Sequence, residues 1–267
     1  MEVKHSKTTF RIDSEFAQRS DKAFYDDYYS HVTEIFIRWR DYGAIGKSDS
    51  VLSLCHHLKP SKVVEIGCGL CSITARLDKL NFATEFYGIE VSSSAINFIK
   101  EKLDIPHLKT VYLLDTSKTP FEDNFFDVGV LSHVLEHVPD PKALIREALR
   151  ICKYVVIEVP LEDCLLPNLL AIFEEKSKSL ERKNNTTGHI HFFNKQTIGC
   201  LVTESGGKIQ KERTYRPWRV FNQGVKKLLF FQYLKSIVLF LIFKLTGSRL
   251  VWTNYAMLTT KLPSPKT

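Results

Sequence analysis

Between residues 61 and 160 the chain alternates short apolar runs with stretches of helical periodicity. The runs are VVEI (63–66), FYGIE (86–90), TVYLLD (110–115), FDVGVLS (126–132) and YVVIEV (154–159). Each is rich in Val, Ile, Leu and aromatic residues and apolar on both alternating faces, which is what a parallel sheet covered by helices demands. Residues 71–80, 92–103 and 141–152 carry the helical pattern between them. This alternation predicts an α/β fold built on a doubly wound sheet. Upstream, residues 14–59 predict two or three helices dense in Tyr and Phe, as in AFYDDYYSHVTEIFIRW. Downstream, 161–188 predicts a helix and a loop ending in the polar ERKNNTTG. GKIQKERTY (207–215) and RLVWTNYAMLTT (249–260) predict two more strands that close the sheet edge.

No internal repeat and no Gly/Ser linker divides the chain, so 1–267 reads as one domain. Its parts are a helical cap (1–59), a core (60–160), a lid with an apolar insert (161–248) and a final strand (249–260). The insert, 225–247, holds 16 residues between Lys227 and Lys244, of which only Gln232, Lys235 and Ser236 are polar. That is short for a bilayer span of about 20 residues, and a central lysine is costly in lipid. Three readings stay open: a helix packed on its own domain, a helix lying in a membrane interface, or a wall of the substrate pocket.

Composition narrows the class. With 44% hydrophobic residues the chain has the apolar content to fold, which excludes a disordered polymer. Thirty-seven basic against 30 acidic residues leave a net charge of +7. This suits a surface near phosphate or anionic lipid without arguing for nucleic acid, and no nucleic-acid partner is expected. Six cysteines at irregular spacing, and a charged start without an apolar h-region, favour free thiols in a reducing cytoplasm, with membrane association resting on the insert.

The chemistry gathers at strand ends. EIGCGL follows the first strand and opens a helix, where Gly67 and Gly69 permit a tight turn and close backbone approach to a ligand. Glu90 ends the next strand, 23 residues after Gly67, where a carboxylate can accept two ribose hydroxyls. Asp115 ends the third and could accept from an adenine amino group. Three such features on successive strands point to a nucleoside held along the sheet edge.

Rival readings are available. A dinucleotide oxidoreductase shares the loop and acid, but would prefer glycine where Ser72 stands. His133, Glu136 and His137 match H-x-x-E-H, a zinc-hydrolase pattern to which His189 or His191 could add a ligand. Against zinc, the motif begins at a strand end, and Pro139 stops any helix there; no metal is expected. Cys68 and Cys71 form C-x-x-C at a helix start, where a thiol pKa would fall. That redox reading leaves the glycines and acids unexplained.

Taken as a set, EIGCG, Glu90, Asp115, FDVGVLSHVLEHVPDP and GHIHFF resemble class I S-adenosylmethionine-dependent methyltransferases. The likeness is to the small-molecule, type 11 branch with an LEHV segment after strand four, and covers about residues 60–200. It implies a Rossmann-like, mostly parallel seven-stranded sheet with an antiparallel last strand, and S-adenosylmethionine as cofactor. Glu65, Gly67, Cys68 and Gly69 would border the methionine part, Glu90 the ribose, and Asp115 with Thr116 the adenine. Ser132 and His133 would lie beneath the sulfonium. The family often has a third glycine where this chain has Cys71.

Methyl transfer needs an oriented nucleophile and exclusion of water. A hydroxyl acceptor also needs a base, for which His133 is the first candidate and His137 the next. His189 and His191, in GHIHFF after the lid, would order the lid or bind substrate. The expectation is methyl transfer to a small, lipophilic acceptor, at oxygen first, with nitrogen or carbon as alternatives. An RNA or protein acceptor, or a cofactor-binding subunit without catalysis, are the other readings.

Overall fold

Seven strands run in the order β3-β2-β1-β4-β5-β7-β6. The computed structural model describes residues 22–114, 119–161, 188–216, 244–245 and 253–263. The strands are β1 (Lys62–Ile66), β2 (Glu85–Glu90), β3 (Leu108–Leu113), β4 (Phe126–Ser132), β5 (Cys152–Leu161), β6 (Gly207–Tyr215) and β7 (Thr253–Lys261). β1 pairs in parallel with both β2 and β4, so the chain direction across the sheet reverses at β1. That reversal opens a crevice beyond the carboxyl ends of the strands, the usual ligand position in such sheets. β7 runs antiparallel between β5 and β6, as the family resemblance implies.

Helices cover both faces. α1 (Lys22–Ser30), α2 (Glu34–Leu54), α3 (Ser72–Lys79), α4 (Ser93–Lys102), α5 (Pro141–Ile151) and α6 (Lys195–Glu204) are the described helices longer than one turn. Val63 and Val64 point to opposite sides of β1. Val63 joins Ala44, Val51 and Leu54 of α2 and Ile73 and Leu77 of α3. Val64 joins Ile145 and Leu149 of α5 and Leu201 and Val202 of α6. Two-sided burial explains why the central strands read as unbroken apolar runs.

β3 departs from that pattern. It starts at Leu108 rather than 110, and Lys109, Thr110 and Leu113 are exposed. It lies at the sheet edge with one neighbour, so the two-sided burial expected from TVYLLD is not required there. Asp115 and Thr116 lie outside the described residues, as do the lid 162–187 and the insert 225–247 except Lys244 and Leu245. Among the described residues no helix is long and apolar enough to cross a membrane.

Capping sets the helix starts. Ser92 Oγ accepts from Ala95 N at 3.2 Å, and Asp140 Oδ1 accepts from Ala143 N at 3.0 Å, satisfying amides that the first turn leaves without partners. α1 is latched to the start of α4: Asp26 Oδ1 accepts from Ser93 Oγ at 2.9 Å and from Ser94 N at 3.2 Å. This latch carries the aromatic helix over the crevice.

Candidate active site

The loop after β1 turns through Gly67 (φ 70), Gly69 (φ 53) and Cys71 (φ 54). A Cβ on Gly67 would stand 2.5 Å from Val134 Cγ2, and one on Gly69 would stand 2.3 Å from Arg40 Nη2 and 2.6 Å from Tyr29 Oη. Backbone angle favours glycine at both positions, and at Gly67 a Cβ would also press on the branched Val134 side chain. Cys71, at the third-glycine position, adopts the left-handed conformation without that freedom, a strain of about 1 kcal/mol.

Glu90 ties this loop to the next strand. Its Oε2 accepts from Gly69 N at 2.6 Å, and its Oε1 accepts from Val91 N at 2.9 Å and Ser92 N at 3.0 Å. Glu65 lies one strand over, accepting from Thr74 N at 3.0 Å, and burial pushes its carboxyl up to about 7. Arg40, on α2, faces both Glu65 and Glu90.

Cys68 turns its thiol into an apolar cluster with Cys71 and Ile99. The hydrogen bond with Cys71 and burial raise that thiol well above its ordinary value. This is the reverse of the lowered thiol a redox C-x-x-C needs.

A second polar group collects at the ends of β4 and β5. His133 sits at φ 56, a left-handed backbone held by donation of its amide to Glu158 O at 2.9 Å. Its Nδ1 lies 3.4 Å from Glu136 Oε1 and its Nε2 lies 3.5 Å from Glu158 Oε1. Burial and the charge of Lys47 lower His133 to about 4, so it is neutral near pH 7. Burial, with Arg40 nearby, lowers Lys47 to about 8. Burial works to raise Glu158, but its contacts with His133, Lys47 and Tyr215 prevail and hold it below the usual range. Tyr215 Oη donates to Glu158 Oε1 at 2.9 Å, and Asn254 Nδ2 donates to Tyr215 Oη at 3.0 Å. Ser132 Oγ is buried and has no hydrogen-bond partner among the described residues.

His133 and His137 are not on one helix, because Leu135–His137 forms a turn. The ligand-type atoms that converge are those of Glu136, His137 and His189, within 4.8 Å of one another. His133 is outside that set, so the structure replaces the H-x-x-E-H triad with a different one. His191 holds the loop instead: its Nε2 donates to Val138 O at 2.9 Å, and its ring stacks on Phe193.

Arg40, Lys47, Glu158 and Tyr215 were not among the residues expected from the sequence. Arg40 and Lys47 stand seven residues apart on α2, a spacing that places both on one helix face.

Residues 64–154 match the family model for a methyltransferase domain. The chain carries a class I, S-adenosylmethionine-dependent methyltransferase domain. A demethylmenaquinone methyltransferase of Staphylococcus saprophyticus is 31% identical over 94 residues, covering 35% of this chain and 40% of the relative. Tocopherol O-methyltransferase of Arabidopsis thaliana is 29% identical over 96 residues, covering 35% of this chain and 27% of the relative. These matches thus span less than half the length of either relative. A solved S-adenosylmethionine-dependent methyltransferase of Thermotoga maritima superposes with a TM-score of 0.55 at 16% identity, covering 90% of this chain and 98% of that one. At that identity the superposition speaks to the methyltransferase fold.

Proposed function

We propose that this protein transfers the methyl group of S-adenosylmethionine to a small lipophilic acceptor, at oxygen. The observation that carries the reading is the arrangement around Gly69. Its amide is bound by Glu90, while Arg40 and Tyr29 stand where a side chain would otherwise be. This cradle fits a ligand with an anionic amino-acid end and a ribose diol. Arg40 would hold the carboxylate, Glu90 the ribose hydroxyls, and the backbone of Gly67–Gly69 the methionine chain. When bound, the cofactor supplies a methyl group activated by a sulfonium.

The acceptor side is the group at the ends of β4 and β5. His133, neutral near pH 7, has a ring nitrogen available to take a proton. Its left-handed backbone and its place between two carboxylates orient the ring. The aromatic α1 supports a lipophilic acceptor. Tyr25 lies edge-on to His137 with centroids 6.1 Å apart, and a Cβ on Gly188 would be 3.6 Å from the Phe24 ring. Demethylmenaquinone and tocopherol, named for two relatives, are lipophilic molecules, and the second of those relatives is named for transfer to oxygen.

The test is incubation with methyl-labelled cofactor and a panel of hydroxylated lipophilic compounds beside amines, peptides and RNA. Label recovered as a methyl ether is the expected result. Label recovered in an amine, a peptide or RNA would overturn the acceptor assignment.

A further inference from the structure

We propose that Glu136, His137 and His189 bind a divalent transition-metal ion with an open coordination position facing the methyl acceptor. The use of that position by an acceptor oxygen rests on the methyltransferase reading above; the metal site does not.

One ligand-type atom from each of the three residues lies within 4.8 Å of the others. Bonds of about 2.0–2.2 Å place ligand atoms about 3.4 Å apart around a tetrahedral ion. The spacing in this structure thus exceeds that of a filled tetrahedral site by about 1.4 Å at most.

His137 Nδ1 donates to the Gly188 carbonyl at 3.2 Å. This fixes the tautomer and leaves Nε2 as the ligand atom, as a metal-binding imidazole is ordinarily held. The His137 and His189 rings meet edge to face at 4.7 Å.

The segment carrying His189 is also fixed in place. The Glu136 carbonyl accepts from Ile190 N at 2.7 Å and His191 N at 3.1 Å, and His191 donates back to Val138. Glu136 and His189, 53 positions apart, are thus brought together by backbone hydrogen bonds between Glu136 itself and the two residues that follow His189. Gly188 makes the turn into the segment at φ 69.

Two imidazoles and one carboxylate favour zinc and neighbouring first-row ions over magnesium or calcium, which seek oxygen. Three protein ligands leave at least one position for an exogenous oxygen. An acceptor hydroxyl seated there would be polarised by the ion.

The experiment uses the full chain stripped of metal, titrated with Zn²⁺ and Co²⁺, with Mg²⁺ as the oxygen-seeking control. One equivalent of Zn²⁺ is expected, with visible ligand-field bands for Co²⁺. His189→Ala should weaken Zn²⁺ binding roughly a hundredfold, and Glu136→Gln, if folded by circular dichroism, should do the same. His57→Ala, an exposed histidine outside the cluster, should change nothing. Equal Zn²⁺ affinity in wild type and His189→Ala overturns the site, as does preference for Mg²⁺. S-adenosylmethionine titrated into the same samples separates the two claims. Cofactor binding without Zn²⁺ defeats the metal site alone, and Zn²⁺ binding without cofactor binding defeats the methyltransferase reading alone. If metal removal leaves methyl transfer unchanged, the docking of acceptor oxygen on the ion is wrong.

Discussion

The Glu90 carboxylate accepts the Gly69 amide at 2.6 Å, joining the end of β2 to the glycine loop that follows β1. One side chain thereby sets the loop and faces the place where a ribose would lie. Glu90→Ala should weaken S-adenosylmethionine binding by about 1.5–3 kcal/mol, through loss of charged hydrogen bonds. Calorimetric titration of the variant checks this, and unchanged affinity would refute the ribose assignment.

Arg40 gives a sharper test of orientation. Its guanidinium stands at the face of Gly69, so Arg40→Ala should lower affinity for S-adenosylmethionine by about tenfold or more, the scale of one lost charged hydrogen bond. Binding of 5′-methylthioadenosine, which lacks the amino-acid end, should be unaffected. Equal losses for both ligands would show that Arg40 shapes the loop rather than holding a carboxylate.

His133→Ala should leave cofactor affinity nearly intact and depress turnover about a hundredfold. His133 has a pKa of about 4, so its share of the rate should rise with pH through that value and stay flat above it. A variant with wild-type turnover would remove His133 from the mechanism.

Away from the site, Glu147 should contribute to stability against acid. Its carboxylate accepts from Thr119 Oγ1 at 2.7 Å and from Arg150 Nε at 2.8 Å. Burial alone would raise its pKa; these bonds outweigh that and hold it at about 2, below the ordinary 4.5. Because the folded value is depressed, the contribution is complete above 4.5 and is lost as pH falls towards 2. Glu147→Gln should cost about 1–3 kcal/mol at pH 7. The gap between variant and wild type should close near pH 2 in denaturant unfolding. A gap that stays constant with pH would assign the loss to packing.

The central strands were legible because each is buried on both faces, which leaves a continuous apolar run. β3 was less so, since an edge strand needs no second apolar face. The acids were found where they end a strand, as Glu90 does. Glu158 was hidden inside YVVIEV, because a strand pattern does not show which residue faces a neighbouring histidine. Arg40 and Lys47 lie on a helix whose apolar pattern is weak, so only their seven-residue spacing hinted at a shared face. The meeting of His137 with His189 depends on backbone bonds from Ile190 and His191 to Glu136, and no local pattern records such long-range pairing. H-x-x-E-H suggested His133 as a ligand because it assumed a helix. The left-handed residue at 133 and the turn after it supply the different grouping.

If the glycine loop, Glu90 and Arg40 form the site for S-adenosylmethionine, the protein binds both the cofactor and its demethylated product. Calorimetric titration of the purified protein with S-adenosylmethionine and S-adenosylhomocysteine, with NADH as control, tests it most directly. Micromolar binding of both sulfur nucleosides and no heat from NADH is the predicted result. Failure of both to bind, or preference for NADH, would contradict it.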